Sequence, residues 1–597
     1  MHEFGLPALY HVPPDGNLTD LIEHNADESP GGTVISRKIG GEWHELTASR
    51  FRTEVWETAK GLIANDVQVG DRVAVMSRTR YEWTLLDFAI WYAGAVTVPV
   101  YDTSSVEQVR WILSDSGAVA IVTETDHHAA VVADLRDELP NLRHTWQIDA
   151  EAIATLTADG ARIEDSAVAD RRAAVSADGL ATIVYTSGTT GRPKGCQLTH
   201  GNFLAELGNI TARMPTLFRT GESSVLLFLP LAHVLGRLAE VAAAFVPIDI
   251  AHVSDVKDVT SELSAFRPTL ILGVPRVFEK VYNTARTRAQ LAGRGRIFDL
   301  AAATAIAYSR AGDDGRIPLT LRMRHALFDR LVYRRLRAAL GGRATHAISG
   351  GAALGERLGH FYRGIGFTVL EGYGLTETCA AATFNPDDRP KIGTVGQPLP
   401  GSTVRIDDDG EILLRGANVF TGYWNNPRAT ADTFRDGWFA TGDLGTLDDD
   451  GYLTIIGRKK EIIVTAAGKN VAPAVIEDRI RGHSIIGEVI VVGDGRPFVS
   501  CLVTLDEEQF PTWKELNGKP ADASIADLSD DPDLLAAVQS AIDDGNRAVS
   551  RAEAVRKFRL IDADLTEASG YITPSLKLKR NIVLRDFATE VSAMYSA

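Results

Sequence analysis

Cysteine is scarce. Cys196, Cys379 and Cys501 are the only three in 597 residues, far apart and without the short spacing of a metal site. A disulfide framework is therefore excluded as the basis of the fold, and the thiols suit a reducing compartment. Long apolar runs are missing as well. No stretch reaches the roughly 18 residues of a membrane-spanning helix, and the longest candidate, 238–253, is broken by Glu240 and Asp249. The amino-terminal Met1-His-Glu-Phe-Gly lacks the basic-then-apolar pattern of an export signal. Positive charge is in deficit, 62 Lys and Arg against 78 Asp and Glu, which leaves a net charge of −16. Such a chain is not a general nucleic-acid binder, although a nucleotide needs only a local site. The phosphate-loop pattern G-x-x-x-x-G-K-[ST] is absent too. What remains is ordinary globular composition, 45% hydrophobic and 23% charged, in a chain too long for one core. The expectation is a soluble, cytoplasmic protein of two or more domains.

One stretch stands out: Tyr185-Thr-Ser-Gly-Thr-Thr-Gly-Arg-Pro-Lys-Gly195. Gly188, Gly191 and Gly195 let a ligand press against the main chain. Thr186, Ser187, Thr189 and Thr190 add hydroxyls, and Arg192 and Lys194 add positive charge. The apolar run Ala181-Thr-Ile-Val-Tyr185 reads as a strand and a helical segment opens near Thr199, so the stretch is expected to be a strand-to-helix loop. Amides, hydroxyls and cations gathered this densely suit a polyphosphate; a polar surface loop is the bland alternative.

Around it the chain alternates. Val73-Ala-Val-Met76, Val96-Thr-Val-Pro-Val100 and Val119-Ala-Ile-Val122 read as strands, with a helix from Tyr81 to Ala93. Ser104-Ser-Val-Glu107 reads as a capping box for a helix whose apolar face carries Val106, Val109, Ile112 and Leu113. The rhythm returns at Val225-Leu-Leu-Phe228, a helix from about Leu235, and Leu270-Ile-Leu272. This predicts two α/β units with mainly parallel sheets. The segment 283–342 is helical in pattern, and 286–343 holds thirteen Arg, four acids and no Lys. Leu327, Phe328, Leu331, Val332 and Leu336 form an apolar stripe there. The arginines are either a solvated face covering apolar surface or a contact for an anionic membrane or substrate. From about Pro400, Asp409-Gly410 and Asp450-Gly451 between alternating runs predict hairpins. A smaller α+β unit follows from about Lys459, with strands at Val489-Ile-Val-Val492 and Val499 to Val503.

Further motifs point to a nucleotide. Ser349-Gly-Gly-Ala352, with Gly350 and Gly351, follows a strand and offers backbone to a flat base. Glu371-Gly-Tyr-Gly-Leu-Thr-Glu377 combines a ring, a hydroxyl and a carboxylate. Thr441-Gly-Asp443 puts a carboxylate at a strand start, suited to two vicinal hydroxyls, and Gly457-Arg-Lys-Lys460 adds cations.

Together with the loop, Trp438-Phe-Ala-Thr-Gly-Asp443 and Gly457-Arg-Lys-Lys-Glu461, these motifs resemble the core motifs of adenylate-forming enzymes: acyl-CoA synthetases, luciferases and peptide-synthetase adenylation domains. The likeness spans nearly the whole chain in the family's order. It is strongest to long-chain fatty-acid CoA ligases, through Leu229-Pro-Leu-Ala-His233, Gly273-Val-Pro-Arg-Val-Phe278, the arginine-rich insertion and Ile572-Thr-Pro-Ser-Leu-Lys-Leu-Lys-Arg580. The resemblance implies a large N-terminal domain, 1–458, of parallel α/β sheets with a β-hairpin-rich, barrel-like part, then a small mobile α+β domain, 459–597, hinged at Lys460. It implies ATP, Mg²⁺ and CoA as cofactor and co-substrates, and fatty acid as substrate. Thr186, Ser187, Gly188, Thr189, Thr190, Gly191 and Lys194 would hold the β- and γ-phosphates. Glu377, with Thr186, would ligate Mg²⁺, and Thr376 would meet the α-phosphate. Gly350, Gly351, Ala352 and Tyr373 would bind adenine, and Asp443 and Arg458 the ribose. His233 would face the acyl carboxylate. Lys577, with Lys579 as rival, would join carboxylate to α-phosphate; the family's usual Gly-Lys is Leu576-Lys577 here, and Arg580 keeps the spacing. The small domain would turn at Lys460 and bring the Gly468-Lys469 loop inward. Three alternatives stay open: delivery of the acyl-adenylate to a carrier protein, a medium-chain or aromatic acid, and a binding module without turnover.

Overall fold

The computed structural model describes residues 2–186, 192–566, 569–573 and 578–596. Two large sheets dominate. The first has seven strands in the order Gly422–Tyr423, Lys194–Thr199, Leu180–Thr186, Val96–Val100, Arg72–Met76, Ala120–Thr123, His144–Gln147. Val96–Val100 is buried at every residue and pairs parallel with Arg72–Met76. Both faces of this strand are therefore covered, and even the polar Thr97 between its valines is buried. The second sheet has nine strands, from Gln397–Pro398 through Thr368–Tyr373, His346–Ser349, Leu270–Gly273, Ser224–Leu227 and Asp249–His252 to Glu42–Thr47, parallel at its centre and antiparallel at its ends.

Helix Tyr81–Tyr92 is packed between the sheets, with eleven of its twelve residues buried. Asp87 on it accepts from Thr97 Oγ1 at 2.6 Å in the first sheet and pairs at 2.7 Å with Arg237 of helix Val234–Phe245. Thr84 meets His252 of the second sheet at 2.8 Å. A polar seam thus fixes the two sheets in a helix otherwise filled by Trp83, Phe88 and Trp91.

The two Asp-Gly signals are hairpins as expected. Ile406 faces Ile412 and Leu447 faces Leu453 across them, with Gly410 at φ +86° and Gly451 at φ +80°, angles that favour glycine. They belong to a six-stranded sheet that also takes in Glu3–Gly5. Beyond it lies a small domain: sheet Ile486–Val492, Val499–Leu505, Val555–Leu560, flanked by helices Pro473–Arg481 and Pro532–Asn546. Its apolar clusters begin at Ile463, whereas the large domain's cluster ends at Leu453.

Four local expectations are corrected. The glycine-rich loop does not run from strand to helix: Lys194–Thr199 pairs antiparallel with Leu180–Thr186, so the loop closes a hairpin, and the helix starts only at His200, capped by Thr199. A strand containing Lys, Gly and Gln offers no apolar run to the eye, yet Gly195, Cys196 and Leu198 are buried. The capping box is Ser105 with Gln108, one residue later than expected, which turns Val106 to solvent. Asp443 lies within strand Trp438–Leu447, not at its start, beside a register shift between Leu444 and Gly445. The 327–336 stripe divides: Leu336 is buried, but Leu327 and Leu331 are exposed.

Candidate active site

The two strands flanking the glycine-rich turn bring Thr186 opposite Lys194 at the edge of a cleft of about 3280 Å³. The turn's own Ser187, Gly188, Thr189, Thr190 and Gly191 lie outside the described residues, as does Lys577. Lys194 Nζ stands 4.8 Å from the ring centre of Tyr423, whose hydroxyl donates to Glu377 Oε1 at 2.8 Å. Beneath them sits the buried Cys196 thiol, near the side chains of both Thr186 and Glu377; burial, then the Glu377 carboxylate, pushes it well above its ordinary range. Residues nearly 200 positions apart in sequence thus meet around one buried sulfur.

Thr376 and Glu377 belong to a single helical turn, Thr376–Thr378, that ends in unusual backbone: Cys379 at φ +58° and Ala380 at φ +108°. Neither residue is glycine, so the surroundings must hold the turn in place. Two features do so. Gly374 has no room for a side chain, because a Cβ there would come within 2.0 Å of the Ala380 carbonyl oxygen. Glu206, buried on helix His200–Arg213, accepts from Ala381 N–H at 2.8 Å and contacts the Cys379 thiol. Burial pushes the Glu206 carboxyl well up.

On the opposite wall, Asp443 is buried and doubly held. It accepts from the Tyr373 hydroxyl at 2.7 Å and lies 3.2 Å from Arg458 Nε, its cross-strand partner. Burial and then the Asp443 charge push the Tyr373 hydroxyl well up, so it stays a donor. Gly350, Gly351 and Ala352 line the cleft at the end of strand His346–Ser349. Their loop is fastened by Glu371, which accepts from Leu354 N–H at 2.8 Å; burial pushes its carboxyl up to about 7. His233 lines the cleft and caps helix Val234–Phe245, its Nδ1 accepting from Leu235 N–H at 3.2 Å.

The small domain closes the cleft from the far side. Arg580 donates to both oxygens of Glu477 at 2.6 Å and to the Val491 carbonyl at 2.9 Å, and Lys579 beside it lines the cleft. Across the domain boundary Arg276 pairs with Glu488 at 3.1 Å, Lys280 with Glu508 at 2.8 Å, and Thr287 donates to Gln509 at 2.7 Å. Lys460 is exposed on the turn Lys459–Glu461 and lines the cleft as well. Lys469 is turned to its own domain, 3.2 Å from Glu553.

All the sequence-predicted site residues among the described ones therefore border one cleft. Sequence reasoning gave Tyr423, Cys196 and Glu206 no part in the site, and it singled out Glu371 as the start of a motif without seeing its contact with Leu354. Their importance is a matter of contacts between distant segments, and no spacing in the chain signals it. For a divalent cation, the described residues contain no cluster of three His, Cys, Asp or Glu side chains. Glu377 and Thr186, both lining the cleft, offer two hard oxygens. That set fits Mg²⁺, which takes one or two protein oxygens and completes its shell with phosphate and water.

Residues 22–424 match the family described as AMP-binding enzyme, and residues 460–597 match AMP-binding enzyme C-terminal domain. The chain belongs to the AMP-binding enzyme family, with a large N-terminal and a small C-terminal domain. Two proteins called long-chain-fatty-acid–CoA ligase FadD15, from Mycobacterium bovis and Mycobacterium tuberculosis, are each 51% identical to it over 599 residues, covering 100% of both chains. Among solved structures, ATP-bound MatB from Rhodopseudomonas palustris is similar at 25% identity and a TM-score of 0.69, covering 96% of this chain and 99% of that one.

Proposed function

We propose that this enzyme is an ATP-dependent long-chain fatty-acid CoA ligase. The observation that carries the proposal is the meeting of Lys194, Glu377 and the Tyr373–Asp443–Arg458 group in one cleft, in a chain similar end to end to two long-chain ligases. A fatty carboxylate is inert to thiols because oxide is a poor leaving group. Its oxygen attacks the α-phosphorus of ATP, and the bond to the bridging oxygen of pyrophosphate breaks. The CoA sulfur then attacks the acyl carbon, the carbon–oxygen bond to AMP breaks, and the thiol proton is lost to solvent. Both steps depend on alignment and charge neutralisation more than on covalent help from the protein.

The described side chains have parts that their positions support, and the turn hydroxyls and Lys577 take theirs from the family resemblance. Lys194, Thr186 and the turn hydroxyls hold the β- and γ-phosphates, and Thr376 contacts the α-phosphate. Asp443 accepts from the ribose hydroxyls, with Arg458 and Tyr373 fixing its carboxylate. The Gly350–Gly351–Ala352 backbone and the Tyr373 ring bound the adenine. His233 stands at the acyl end, and Lys577 joins the two anions during adenylation. Glu377 and Thr186 would hold Mg²⁺, which would supply positive charge to offset that of the phosphates.

We read Lys460 as the hinge between domain 1–458 and domain 459–597. In this arrangement Lys579 and Arg580 face the cleft and Lys469 faces away, an orientation suited to the first half-reaction. ATP and CoA as substrates, with three buried free thiols, support a cytoplasmic setting, with contact at the inner membrane face through region 286–343. The test is AMP release with and without CoA over acids from acetate to very long chains. A maximum at long chains that depends on CoA for thioester is expected. A maximum at short or aromatic acids, or adenylate that forms without transfer to CoA, overturns the assignment.

A further inference from the structure

We propose that the helical face running from Ile297 to Leu331 is a docking surface by which this enzyme lies on an anionic lipid bilayer. Helix Leu319–Phe328 contains no buried residue. Leu319, Met323 and Leu327 recur every four residues, and therefore on one face, at exposures of 72%, 67% and 55%; Leu331 continues the line at 50%. Helix Gly295–Asp313, packed against it, adds exposed Ile297 and Leu300. Seven of the fifteen exposed large hydrophobics among the described residues fall within 291–331. Single exposed apolar residues are ordinary, but a contiguous group marks an interaction site.

The charge around this face selects the occupant. Region 286–343 has thirteen Arg and four acids, +9 by difference, in a chain of net −16. Three of those acids are already neutralised: Asp299 by Arg286, Asp313 by Arg363, and Asp329 by Arg334 and Arg337. Arg294, Arg296, Arg316, Arg322, Arg330 and Arg335 are exposed and form no ion pair among the described residues. An apolar stripe bordered by unpaired arginines complements the boundary of an anionic bilayer, where leucines enter the acyl region and guanidinium groups meet lipid phosphate. The long arginine stems let each head group reach the phosphate level while the backbone stays at the surface.

Position gives the contact a use. Helix Gly295–Asp313 carries Ile306 and Arg310 into the lining of the cleft, so a bilayer against Ile297 and Leu300 lies one helix away from the site. For an enzyme of apolar acids, which partition into membranes, this shortens the path from lipid to cleft; that clause rests on the fatty-acid reading, while the docking does not.

The test is co-sedimentation of the full-length protein with vesicles of phosphatidylcholine alone and of phosphatidylcholine mixed with phosphatidylglycerol. Wild type is expected to pellet with the mixed vesicles, and less so as salt rises. Arg322→Gln, Arg330→Gln and Arg335→Gln together are expected to weaken this roughly 100-fold, at about fivefold per arginine. Leu319→Ser, Met323→Ser and Leu327→Ser together are expected to abolish pelleting at moderate salt. Pyrophosphate release from ATP with a water-soluble medium-chain acid should be unchanged in both triple variants. That assay separates failure of docking from failure of the ligase reading. Wild type that pellets with neither vesicle, or variants that pellet as wild type does, overturns the proposal. So does a concentration-dependent dimer that the same substitutions disperse, without vesicle binding, because the face then belongs to a second copy.

Discussion

The Tyr373 hydroxyl donates to the Asp443 carboxylate at 2.7 Å, and the two residues come from different sheets. One hydrogen bond thus ties the wall expected to face adenine to the carboxylate expected to face ribose. Tyr373→Phe removes the donor but keeps the ring, so KM for ATP should rise by roughly tenfold, the worth of one hydrogen bond to a charged group. Asp443→Ala loses the acceptor and leaves Arg458 unpaired, and should cost roughly a further tenfold. Equal effects of the two substitutions would show that the carboxylate has no ligand role of its own. Steady-state kinetics over ATP concentration make the comparison.

Glu377 shares Cys196 with Thr186 and a hydrogen bond with Tyr423. Glu377→Gln keeps an acceptor for Tyr423 and removes the charge. Adenylation should fall by about two to three orders of magnitude, a scale typical of losing one aimed electrostatic group, and the Mg²⁺ concentration for half-activity should rise. Unaltered Mg²⁺ dependence would exclude Glu377 as a ligand.

Glu206 acts through the turn that carries Glu377. Glu206→Ala leaves the buried Ala381 N–H without a partner at a cost of about 1–3 kcal/mol, read as a lowered unfolding midpoint. Because Cys379 and Ala380 have positive φ, the freed turn should relax, so kcat falls more than KM for ATP rises. Glu206→Gln, which retains an acceptor, should restore most of both. A loss of stability with normal kcat would restrict Glu206 to a structural part.

Glu371 gives a pH dependence of defined sign. Burial first, with Asp478 adding, raises its carboxyl from 4.5 to about 7, so the folded chain binds this proton more tightly than the unfolded chain. The resulting stability is complete below about pH 4, is lost as pH rises through 7, and changes no further above that. Over that window the group accounts for about 3 kcal/mol, from the size of the shift. Glu371→Gln keeps the acceptor for Leu354 N–H, and its denaturant midpoint should fall less between pH 4.5 and 7. Asp478, raised to about 6 by burial first, keeps a smaller slope of the same sign. Parallel profiles for the two proteins would refute the assignment.

Lys577→Ala should abolish acyl-adenylate formation while thioester formation from preformed acyl-adenylate and CoA proceeds. Rapid-quench assays of each half-reaction distinguish this from a general defect, in which both steps fall together.

Local chemistry made much of this molecule legible in its sequence. Asp409-Gly410 and Asp450-Gly451 imposed their hairpins because glycine takes positive φ at little cost. The valine-rich run at Val96–Val100 announced a strand, and the structure buries it on both faces. Tyr185 to Gly195, Glu371 to Glu377 and Asp443 could be picked out because their chemistry is written in consecutive residues. What only tertiary structure decided was who stands beside whom. Gly195 and Cys196 form a strand because Leu180–Thr186 offers them a partner, which no propensity of theirs foretells. Leu327 and Leu331 face water and Leu336 does not, because the helix packs along one side only. Glu206 and Tyr423 serve the Glu377 turn from 171 and 46 positions away in the chain. Turns and strands follow from short-range sterics, but a site is made where long loops are closed, and the contacts that repay that closure are recorded only in the fold.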